Sequence, residues 1–105
     1  MVHSLIPQSV NIKTTLFETP ARLINHMELL CAIGMAYKQA GMKLPDVQIG
    51  DNLKESRDVL IRPIENNSKI NPKLLQVIQS YIFKSGETVD EDSIITMKLG
   101  YEFAH

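Results

Sequence analysis

The sequence predicts an α+β domain. One long helix and one or two shorter ones pack on a small, mainly antiparallel sheet that contains the N- and C-terminal strands. Three observations lead there. Residues 10–17 alternate apolar and polar, and residues 95–103 alternate again over a longer run. Between them, residues 19–41 carry helix start and stop signals around an apolar stretch. Period-two alternation is the signature of a half-buried strand, and capped periodic stretches are that of a helix.

Residues 1–9, with Pro7, read as an extended or mobile leader. From there Val10, Ile12, Thr14 and Leu16 fall on one face and Asn11, Lys13, Thr15 and Phe17 on the other. The β-branched content favours a strand. Thr19 suits an N-cap and Pro20 the first helical position, where its missing N–H is no loss. No further proline occurs before Ala40, and Gly41 supplies a left-handed stop. The expected helix, from Pro20 to Ala40, is about 31 Å long at about 1.5 Å per residue. Its start is amphipathic, with Leu23, Ile24 and Met27 set against Arg22, Asn25, His26 and Glu28. From Leu29 to Tyr37 every residue is apolar or small, so that part must be covered on all sides.

Residues 41–46 break the chain, and Val47-Gln48-Ile49 reads as a short extended piece. Residues 51–62 are ambiguous. Asn52 and Glu55 have capping-box spacing, and Leu53, Leu60, Ile61 and Ile64 share a helical face. Val59-Leu60-Ile61 also suits a buried strand. The helix from Leu53 to Ile61, stopped by Pro63, is favoured. Asn71-Pro72 opens a further helix to Lys84, with Gly86 as its stop. Leu74, Leu75, Val77, Ile78, Tyr81 and Ile82 give it a wide apolar stripe, to which Phe83 adds. Residues 87–92 read as an acidic loop. In the last segment Ile95, Met97, Leu99, Tyr101 and Phe103 alternate with Thr96, Lys98, Gly100 and Glu102, which predicts the best strand of the chain.

At 105 residues, 44% apolar and 22% charged, the chain has the balance of one globular domain spanning 1–105. Its net charge of −1 gives no global field for nucleic acid or an acidic membrane. A single cysteine excludes an internal disulfide and a four-cysteine metal site. With no apolar run of membrane-spanning length and no basic start before an apolar stretch, a cytoplasmic protein is expected.

The chemistry-bearing residues are scattered. His3, His26 and His105 have no ligand spacing among them, and Asp90-Glu91-Asp92 with Glu87 lacks the pattern of a calcium loop. Cys31 sits mid-helix between Leu30 and Ala32, where a thiolate is disfavoured and a packing role is expected. The five glycines form no phosphate-binding loop, and no nucleophile elbow or triad pattern occurs. No catalytic, metal or cofactor residue is therefore assigned, and no cofactor is expected.

Apolarity is the feature in excess. Ala32, Ala36 and Ala40 form a smooth stripe at one-turn spacing, flanked by Leu29, Ile33 and Tyr37. Either the stripe packs within the monomer or it is a seam for another helix, since a domain of this size covers a limited fraction of its surface. The favoured reading is a small non-enzymatic protein that binds another protein, as adaptor, inhibitor or assembly subunit. Its first expected partner is itself, as a homodimer or higher oligomer. The alternative is a winged-helix-like nucleic-acid-binding regulator, with Pro72–Lys84 as reading helix and a C-terminal hairpin as wing. Charge speaks against it. Lys73 and Lys84 are that helix's only charges, and residues 84–105 set Lys84 and Lys98 against Glu87, Asp90, Glu91, Asp92 and Glu102. A third reading is an enzyme site assembled between subunits, with His26 or Asp58 as its acid–base group.

Overall fold

A computed structural model describes residues 25–104. The expected leader 1–9, the strand at 10–17, the start signal at Thr19-Pro20, and His3 and His105 lie outside the described residues.

The first helix, α1 (His26–Ala40), is fixed by its two ends. Asn25 has extended backbone and caps the helix. Its side chain accepts from the Glu28 N–H at 2.8 Å, and the Glu28 carboxylate accepts from the Asn25 N–H at 3.0 Å. This reciprocal box satisfies two otherwise orphaned donors. The helix ending at Ala40 thus has 15 residues and starts at His26, where a continuous run from Pro20 was expected. Gly41, at φ 69°, closes the other end as expected. The Gly41 and Met42 N–H groups donate to the carbonyls of Lys38 and Tyr37, the Schellman arrangement.

Residues 53–56 are turns, and α2 (Arg57–Ile61) is shorter than the expected Leu53–Ile61. The chain there is committed elsewhere. The Gly50 and Leu53 N–H groups donate to Val89 and Glu87, and the Val89 N–H donates back to Asp51, all within 2.9 Å. This forms one antiparallel bridge, Asn52 with Thr88. At its other end α2 stops at Ile61, as expected ahead of Pro63. Pro63 sits in the 3₁₀ turn, Arg62–Ile64, that directly follows α2, and the Val59 carbonyl that its missing N–H leaves unserved lies 3.5 Å from the Tyr37 hydroxyl.

Asn71 caps α3 (Pro72–Ser80), accepting from Lys73 and Leu74 N–H groups. This helix stops four residues before the expected Lys84, because Tyr81 turns extended. The Arg57 guanidinium takes over the end, donating to the carbonyls of Gln79 and Tyr81. Beyond it Tyr81 and Phe83 lie on one side, their rings 5.3 Å apart edge to face, while Ile82 between them is 79% exposed.

The main correction concerns the C-terminus. The segment expected as the best strand is a helix, α4 (Glu91–Phe103), and among the described residues there is no strand or sheet. The α+β fold is overturned: the described chain is built of helices. The expected acidic loop supplies the helix start. Asp90 accepts from the Ser93 N–H and hydroxyl, both at 2.8 Å, and the Ser93 oxygen accepts from the Asp90 N–H at 3.2 Å. Glu91 and Asp92 occupy the first turn, where the helix dipole favours negative charge.

Helices α1 and α4 run parallel. His26, at the start of α1, pairs with Glu87 just ahead of α4, and Lys38, near its end, lies 4.9 Å over the Tyr101 ring. Between these points the backbones touch. A β-carbon at Gly34 would overlap the Met97 carbonyl, and one at Gly100 would overlap that of Cys31. With α3 and the 3₁₀ turn also against α1, every residue from Leu29 to Tyr37 is buried, as an all-apolar helix requires.

Candidate interaction surface

The six residues expected at a docking seam, Leu29, Ala32, Ile33, Ala36, Tyr37 and Ala40, are all buried within the single chain. Tyr37 shows the kind of contact that occupies this helix. Its hydroxyl donates to the Leu60 carbonyl of α2 at 2.7 Å, and burial pushes its pKa up to about 12. The structure therefore places these residues in the core.

The polar groups fall into small structural sets. His26 Nδ1 lies 2.9 Å from Glu87 Oε2, joining the start of α1 to the segment ahead of α4. Asp90 is nearby, its carboxyl held below the usual carboxylate range by the Ser93 hydrogen bonds first and His26 second. Asp58 pairs at 3.6 Å with Arg62 on an exposed helical turn. Cys31 is buried, as expected of a packing residue. No three His, Cys, Asp or Glu among the described residues are placed to hold a metal ion. The acid–base candidates His26 and Asp58 face separate partners, Glu87 and Arg62.

What remains is the outer side of α4. A helix advances about 100° per residue, so positions two apart are about 200° apart and those four apart nearly coincide. The alternating run thus divides into two opposed stripes. Met97 and Tyr101 turn inward beside Ser93, Gly100 and Ala104. Ile95, Leu99 and Phe103 turn outward, with Ile95 40% and Phe103 45% exposed and Leu99 half-buried. Lys98 and Glu102 are exposed along one edge of this stripe. Beside that edge is an open groove of about 440 Å³ between α4 and residues 44–49. Ile94, Met97 and Lys98 form one wall, and Leu44, Val47 and Ile49 form much of the other, with Ile49 65% exposed.

Sequence reasoning missed this face because it read the stripe as one side of a strand. The signal for a helix was present in Asp90-x-x-Ser93, a capping pair enclosing the acidic first-turn residues Glu91 and Asp92.

None of the described helices is long and apolar enough to cross a membrane. No curated protein and no solved structure matches the chain. Residues 1–103 match a family described as a domain of unknown function, DUF3837, and the chain belongs to that family.

Proposed function

We propose that the protein is non-enzymatic and works by binding another protein through the outer stripe of α4, as adaptor, inhibitor or assembly subunit. The supporting observation is the second apolar stripe itself. Ile95, Leu99 and Phe103 stack at one-turn spacing on the side of α4 away from α1. A surface helix ordinarily carries charged residues there. A partner helix is the fitting occupant, because one-turn spacing of apolar anchors is how helices are recognised in grooves and bundles. The winged-helix reading loses its wing, since residues 91–103 are helical.

The experiment is photo-crosslinking in living cells, with a photoreactive residue in place of Leu99 and, as control, in place of Lys69. Protein adducts from position 99 well above those from position 69 are expected. Equal background from both positions would overturn the reading.

A further inference from the structure

We infer that the partner on this face is a second copy of the chain, with the two α4 helices antiparallel across a two-fold axis at Leu99; this rests on the interaction reading above. The stripe is self-complementary. Ile95 and Phe103 lie one turn to either side of Leu99, so an antiparallel copy sets Ile95 against Phe103 and Leu99 against itself. This is the isologous contact a two-fold dimer needs.

Charge selects the direction. Glu91 and Asp92 are both exposed at the start of α4, and a parallel pair would place these acidic ends together. In the antiparallel pair, residues on one edge of a helix meet the same edge of its partner. Lys98 and Glu102 share an edge, and neither forms an ion pair with another side chain among the described residues. The two-fold axis at Leu99 brings each Lys98 within about 3 Å, along the helix axis, of the levels of both the partner's Glu102 and the partner's Lys98, so two opposite-charge contacts stand against one like-charge contact. One helix per chain is a small contact beside a standard interface of about 1,600 Å². The dimer is therefore concentration-dependent.

Light scattering and sedimentation on the purified full chain test this, with circular dichroism checking each variant's fold. The wild type is expected to pass from monomer to dimer as concentration rises. Lys98→Glu and Glu102→Lys each place like charges across the axis and should weaken dimerisation at least tenfold. An equimolar mixture of these two variants pairs Glu with Lys on both sides and should restore the dimer, as should the double variant alone. A wild type that stays monomeric at millimolar concentration overturns the proposal, as does a mixture no better than its components. Cellular adducts of a different protein at position 99, from a chain monomeric when purified, would overturn self-pairing while leaving the interaction reading standing.

Discussion

Gly100 of α4 lies against the carbonyl of Cys31 in α1 so closely that a β-carbon at position 100 would overlap it. Gly34 stands in the same relation to Met97, so each helix brings a glycine to the other's backbone. Helices cross at this distance only where small residues allow it. The contact brings the two chain segments together without long side chains between them.

Gly34→Ala and Gly100→Ala should therefore destabilise the protein. On an isolated helix either change would help by about 1 kcal/mol. Here the added methyl meets backbone, which cannot rotate away, and overpacking of this kind costs about 1–3 kcal/mol or more. Urea unfolding measures the balance. A raised midpoint for either variant would refute the close backbone approach.

Charge should be tolerated on one helix and rejected on the other. Ile95→Lys, on the outer stripe of α4, should change the stability of the monomer by no more than about 0.5 kcal/mol. Ala36→Glu places a carboxylate at a site with no exposure, and the melting temperature of the monomer should fall severely. Similar melting temperatures for the two variants would contradict the assignment of core and surface.

Acid should weaken the start of α4. The Asp90 carboxyl is held low by the Ser93 backbone and side chain and by His26, so its folded form binds a proton less readily than its unfolded form. A lowered folded pKa contributes stability above the ordinary carboxylate range, and this is lost as pH falls through that range and below. Asp90→Asn keeps an N-cap acceptor but cannot titrate. Its melting temperature should fall less steeply than that of the wild type below about pH 4. Identical acid limbs would show that Asp90 contributes nothing to the acid response.

Alkali should act through Tyr37. Its pKa is pushed up to about 12 by burial, so its contribution is intact below the ordinary tyrosine range and is lost as pH rises through it toward 12. Tyr81 is also raised, by burial first and by Glu87 second, so ultraviolet titration should show a late phase that Tyr37→Phe reduces by its latest-ionising part. The variant should also lose about 1 kcal/mol, because the Leu60 carbonyl loses its donor. A native protein whose three tyrosines titrate together would refute the buried hydroxyl.

The sequence by itself determined the features held by local chemistry. Gly41 ends α1 because a left-handed residue is needed there, and Asn71-Pro72 opens α3 because a cap followed by proline needs nothing from the rest of the chain. The burial of Leu29–Tyr37 was legible too, since that stretch has no polar side to expose. The extent of α2 and α3 was not, because the Asn52–Thr88 bridge and the Arg57 guanidinium come from elsewhere in the chain. The same holds for the covering of Ala32, Ala36 and Ala40, which any apolar neighbour could supply. The identity of α4 was decided by tertiary structure above all. An alternation of period two is one face of a strand, or equally two opposed faces of a helix. Only the close approach of α1, with Gly34 and Gly100 clearing its path, makes an inner and an outer stripe of those five residues.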